Sequence, residues 1–173
     1  MRRNQSGFTM VEMMTVVVIL AVITSIAVPS MRGFIQRSNA ATSANTLLTS
    51  FALARSEAVR RVGRVSICPS ADGASCTGEW KDGWIVYLDD SNPRQFDDGV
   101  DQIVQVFPAL NAKTVFSQTV ASLSFLESGA RDASATAPTG NCLEFIVADN
   151  EEARRYVRVS NNGALRTGKG ACT

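Results

Sequence analysis

The sequence predicts an α+β fold: a long N-terminal α-helix whose first half spans a membrane and whose second half packs on antiparallel β-structure. Three observations predict it. Residues 8–28 form an apolar run with one charge, Glu12. A helical stripe of small and apolar residues follows, at Ala40, Ala44, Leu47, Phe51, Ala54, Ala58 and Val62. Beyond Gly63 the pattern changes to short β-like runs separated by turn residues.

The chain has 173 residues, which suits one domain with an appendage. Its formal net charge of +1 gives no global attraction to nucleic acid or anionic lipid. It has no histidine, and its four cysteines form no CxxC pair, which excludes the common Cys/His zinc sites and His-based acid–base or triad chemistry.

Residues 1–7 are polar and carry Arg2 and Arg3. The following apolar run of 21 residues makes a helix of about 30 Å, the thickness of a bilayer's hydrocarbon core. Two arginines before the run and none inside it place the N-terminus in the cytoplasm and the rest outside. A secretory signal would be cut after the run at a small-residue site. Ala27-Val28-Pro29 does not suit that, because proline follows at once and the helical pattern resumes. Glu12 separates an assembly helix from a plain anchor. An acid at the centre of a membrane span costs about 2.5–3.5 kcal/mol on insertion scales. No lysine or arginine lies within a helical turn of it. A free amine at Phe8, supplied by a neighbouring parallel helix, would pair with it.

The residues Gly7-Phe8-Thr9-Met10-Val11-Glu12 resemble the prepilin peptidase motif of type IV pilins and pseudopilins. The family often has Leu-Ile-Glu-Leu where this chain has Met10-Val11-Glu12-Met13, a swap that conserves apolar character. The resemblance implies cleavage between Gly7 and Phe8 by prepilin peptidase, N-methylation of Phe8, and pairing of Glu12 with a neighbour's Phe8 amine. The expected organisation is a leader at 1–7, a membrane and filament-core helix at 8–29, its amphipathic second half at 30–63, and a β-rich head at 64–173.

Pro29 follows the apolar run. It removes one helical bond at about 3 kcal/mol in isolation, so a kink is expected there. The stripe from Ala40 carries the helix onward with one face for a core, and Gly63 suits its C-terminal stop.

Strands are expected at 64–68, 84–88, 103–107, 122–126, 142–147 and 155–159. Asn161-Asn162-Gly163 reads as a hairpin turn, with a final strand at about 164–167. Residues 69–83 and 128–140 read as turn-rich loops. Behind an export segment, Cys68, Cys76, Cys142 and Cys172 read as two disulfides. Three connectivities are open. The short turn-rich loop favours Cys68–Cys76, which leaves Cys142–Cys172 to tie down the C-terminus.

Within the pilins, the helix residues Leu53-Ala54-Arg55-Ser56-Glu57-Ala58, the strand Val65-Ser66-Ile67-Cys68 and the stretch Trp80-Lys81-Asp82-Gly83-Trp84-Ile85-Val86 resemble the GspH/FimT group of minor pilins and pseudopilins. That resemblance implies a pilin-like two-sheet head, a place at or near a filament tip, and a role in starting or capping assembly with other pilin subunits. It also implies an inner-membrane anchor with the head in the periplasm. Two disulfides and the internal motifs favour a type IV pilus over a type II secretion pseudopilus.

Other chemistry is weaker. The aspartates around Asp89-Asp90-Ser91-Asn92 and Asp97-Asp98-Gly99-Val100-Asp101 lack EF-hand spacing and read as solvated turns, so neither metal nor cofactor is expected. Arg154, Arg155, Arg158, Arg166 and Lys169 surround the predicted hairpin, with Arg154 and Arg158 on one face. Some FimT-type pilins bind DNA for uptake through a basic C-terminal motif beginning Gly-Arg, which makes DNA binding the alternative function. Here Gly163-Ala164-Leu165-Arg166 lacks the first arginine, and Glu151 and Glu152 dilute the charge, so a solvated hairpin face is favoured. No arrangement of Ser, Asp or Lys reads as catalytic, and oxidised cysteines are not nucleophiles.

Overall fold

The computed structural model describes residues 8–90, 95–118, 120–132 and 142–172. Those up to Ile35 belong to one compact unit and those from Gln36 to another. Helix α1, Met10–Arg61, contributes to both.

In the first unit α1 begins on Thr9. Its hydroxyl accepts the Glu12 N–H at 3.3 Å and its carbonyl accepts the Met13 N–H at 3.2 Å. This is N-capping by threonine, with an acid at the third helical position as in a capping box. Three hydroxyls of the apolar run are satisfied within the helix. The hydroxyls of Thr15, Thr24 and Ser25 donate to the carbonyls of Glu12, Leu20 and Val22 at 2.8, 2.9 and 2.7 Å. Only a segment that meets its own hydrogen-bonding needs is stable in hydrocarbon. Pro29 lies inside α1, so the helix does not end there. By length and composition α1 is able to cross a membrane, and its most apolar stretch is wholly exposed.

In the second unit the stripe does what its period requires. Ala40, Ala44, Leu47, Phe51, Ala54 and Ala58 are all buried. Val62 departs from the stripe: it is 71% exposed. Gly63 does not supply the turn that ends α1. Val62 does, at φ 53°, while the Gly63 N–H closes the helix end on the Ala58 carbonyl at 3.2 Å.

Two four-stranded antiparallel sheets complete this unit. The first has the order β3 (Gln102–Phe107), β2 (Trp84–Leu88), β1 (Val65–Pro69), β5 (Leu123–Phe125). The second has the order β4 (Thr114–Gln118), β6 (Cys142–Val147), β7 (Asn150–Val159), β8 (Leu165–Lys169). The helix stripe and both sheets share one core. An aromatic series runs through it, Phe51–Trp80–Trp84–Phe107, with successive ring centroids 6.0, 6.1 and 5.5 Å apart. The Trp80 indole donates to the Val120 carbonyl at 2.7 Å, which satisfies a buried polar group. A second small core of Cys68, Ile85 and Tyr87, backed by Phe96 and Ile103, covers the other face of the first sheet.

Two elements differ from the sequence reading. β4 was not expected, and β7 begins at Asn150 rather than 155. The turn before β7 is Ala148-Asp149, both at positive φ (56° and 53°), and it lacks the glycine or asparagine that marks such turns. The turn at 160–164 forms as expected, and Gly163 is required there. A Cβ on it would stand 1.9 Å from the Gly129 carbonyl oxygen, which Arg55 Nε also contacts at 2.9 Å.

Candidate functional site

The first candidate surface is the N-terminal part of α1. Phe8 is 78% exposed, and the apolar side chains that follow are exposed on every side of the helix. A helix that is apolar all round requires a surrounding apolar medium, either lipid or other helices. Glu12 lies within this surface and is exposed, and among the described residues it makes no ion pair. Gly7, the other half of the expected cleavage site, lies outside the described residues.

The second is the hairpin β7–β8. Its register opposes Arg158 to Arg166, Tyr156 to Gly168, and Arg155 to Lys169. Strand alternation therefore divides the five basic residues. Arg154, Arg158 and Arg166 share the outer face. Arg155 and Lys169 lie on the inner face, where Arg155 is 7% exposed and its guanidinium donates to the Glu152 and Arg154 carbonyls at 3.1 and 2.8 Å. Arg154 is neutralised by Glu144 and Glu151. Arg154 and Arg158 thus share a face as expected, the five basic residues are split between two faces, and DNA binding gains no support from this arrangement.

The third is the C-terminus. Cys142 pairs with Cys172 and Cys68 with Cys76, at Cα separations of 6.4 and 5.6 Å. The tail covers Glu144 on the outer face of β6. One Glu144 carboxylate oxygen accepts the Cys172 N–H at 2.9 Å, and the other accepts Arg154. That backbone N–H, and then the guanidinium, hold the Glu144 carboxyl below its usual range. Glu144 was not foreseen, since a lone Glu in an apolar strand gives no sequence signal until the fold brings the tail to it.

Asp89 and Asp101 serve the local fold. Asp101 accepts the Asp90 and Asp97 N–H groups at 3.1 and 2.8 Å, and Asp89 accepts the Ser66 hydroxyl. Ser91 and Asn92 lie outside the described residues. Among the described residues no group of acidic or cysteine side chains has the arrangement of a metal site.

Comparison with known proteins adds three findings. The family described as type II transport protein GspH matches residues 43–163, and the prokaryotic N-terminal methylation motif matches residues 2–28. No curated protein matches the chain. Among solved structures, the type IV minor pilin FimU of Pseudomonas aeruginosa PAO1 is similar, at TM-score 0.57 and 18% identity, covering 77% of this chain and 90% of that one. A second crystal form of FimU gives 0.54 and 17%, covering 73% and 90%. At such identity the likeness bears on the fold alone.

Proposed function

The chain belongs to the GspH family and is a minor pilin or pseudopilin, and from that premise we propose that it is a processed subunit that starts or caps a periplasm-spanning filament. Assembly with other pilin subunits follows from the family. The observation that carries the finer reading is Glu12: an exposed acid, without an ion pair among the described residues, in a helix that is apolar on every side.

In this reading prepilin peptidase removes residues 1–7 at the inner membrane. Phe8 becomes the N-terminus and is methylated, which leaves its amine cationic. In hydrocarbon an unpaired carboxylate is costly, so the helix packs where a neighbour's amine meets Glu12. The same helix that anchors the chain in lipid thereby becomes filament core, with lipid contacts exchanged for helix contacts. Removing only the acid would leave the anchor and abolish the reason to pack in register. The β-rich head, 64–173, is carried outside on the second half of α1, and its disulfides suit an oxidising compartment.

The test is mass spectrometry of the chain in membrane and sheared-filament fractions from cells making wild type or Glu12→Ala. Wild type is expected in both fractions, starting at Phe8 with one added methyl. Glu12→Ala is expected with the same processing in membranes but at least tenfold depleted from filaments. Equal incorporation of the mutant would refute the pairing, and a chain that retains residues 1–7 would refute the processing.

A further inference from the structure

On the outer face of β7–β8, Arg158 and Arg166 stand directly opposite each other across the strands. Like charges in that position repel and weaken a sheet. Neither arginine has an ion pair among the described residues, while Arg154 on the same face has two. Arg158 Nε is buried without a hydrogen-bond partner. The platform beneath is specifically built. Tyr156 lies across Gly168, where a Cβ would stand 2.6 Å from the Tyr156 hydroxyl, and the Arg158 guanidinium lies 5.8 Å from the Tyr156 ring centroid. An aromatic ring that fills the glycine gap thus supports one guanidinium beside another, and among the described residues neither has an anionic partner.

We propose that the Arg158–Arg166 pair is a docking point for a carboxylate-bearing surface on the head of a neighbouring filament subunit. The inference rests on the assembly reading above, because parallel packing of the helices is what brings heads side by side. Two guanidinium forks match carboxylate oxygens in bidentate geometry, and on docking the repulsion between them becomes attraction to a shared anion. A protein carboxylate fits this face better than a nucleic acid. A phosphate backbone is held by many cations along a track, and here the third outer-face arginine is already taken by two glutamates.

The experiment uses the full chain. Arg166→Lys keeps the charge and adds an amine that a carbodiimide joins to a touching carboxylate as an amide. In isolated filaments it is expected to give a crosslink to an Asp or Glu in another pilin head, identified by mass spectrometry and lost when Arg158→Glu is added. In detergent, Arg166→Gln is expected to raise the Tm of the isolated chain by about 1–3 °C, since it relieves the repulsion. Arg166→Glu is expected to cut incorporation into filaments several-fold. A fall in Tm on Arg166→Gln, crosslinks confined to the chain itself, or undiminished incorporation of Arg166→Glu would overturn the proposal. So would an arginine-dependent gel shift of the purified chain with DNA, which would assign the pair to nucleic acid. If wild type were missing from filaments, the assembly reading itself would fail, a result distinct from normal incorporation of both chains.

Discussion

Val62 ends α1 in a backbone conformation that its side chain resists. A β-branched residue at φ 53° brings its Cβ against the neighbouring carbonyl, at about 1–2 kcal/mol for a non-glycine residue. The side chain recovers little by packing, because it is 71% exposed. Replacing it with glycine removes the steric cost, and the greater freedom of the unfolded chain takes back about 0.4–1 kcal/mol. Val62→Gly is therefore expected to raise Tm by about 1–3 °C. A melt of the variant beside wild type checks this, and a lower Tm would show that the side chain holds the turn by a contact worth more than its strain. The sequence reading set the helix end on Gly63 because glycine is the residue that favours this conformation. The hydrogen bond from the Gly63 N–H to the Ala58 carbonyl explains the one-residue difference: Gly63 takes the next position, where only its N–H is needed.

At the scale of elements, legibility followed burial. The helix stripe was readable because its core positions are apolar at helical spacing, and β1, β2 and β6 were readable as dense apolar runs. β4 was not, because its polarity is reversed: Thr114 is buried and Val115 is 53% exposed. The start of β7 was hidden by Asn150, Glu151 and Glu152, polar residues that pair with β6 or reach α1. Asn150 donates to Gln36 at 2.7 Å, and Glu152 meets Arg37. The clamp on the C-terminal tail was not legible either, since it joins residues 28 apart. That clamp depends on pH. The Glu144 carboxyl is held below its usual 4.5 by the Cys172 N–H and by Arg154. A lowered folded value means its contribution is fully present above the unfolded value and is lost as pH falls below about 4.5 through the folded value. Glu144→Gln keeps an oxygen for Cys172 but removes the charge from a group whose side chain is 7% exposed. The loss at pH 7 is expected to be about 1–2 kcal/mol, or about 2–6 °C in Tm, and to shrink as pH falls below about 4.5 through the folded value. Melting curves of both proteins across that range check it, and a gap that stays constant with pH would remove the charge from the explanation.

At the scale of the molecule, the two units obtain their stability from different sources. Every residue of the shared core lies at position 40 or beyond, and the first ties from α1 to the sheets are made by Gln36 and Arg37. The apolar side chains before Ile35 are exposed and contribute nothing to that core. Burying one such side chain is worth about 1.5–3 kcal/mol, so a helix surface of this size outweighs the 5–15 kcal/mol that stabilises a whole domain. That free energy is released only on entry into lipid or among other helices. Head folding and anchoring are then separable, which the proposed passage of a subunit from membrane to filament requires. A chain cut to begin at Met31 is accordingly expected to be monomeric, to melt in one cooperative step, and to have a Tm within about 2 °C of the full chain in detergent. Leu47→Ala, which empties a core position on the part of α1 that remains, is expected to lower both by the same amount, about 2–5 kcal/mol. Calorimetry on the four proteins decides it. A truncated chain that melts more than about 10 °C lower would mean that the first half of α1 supports the head, and the exchange from lipid to filament would then disturb the fold that it carries.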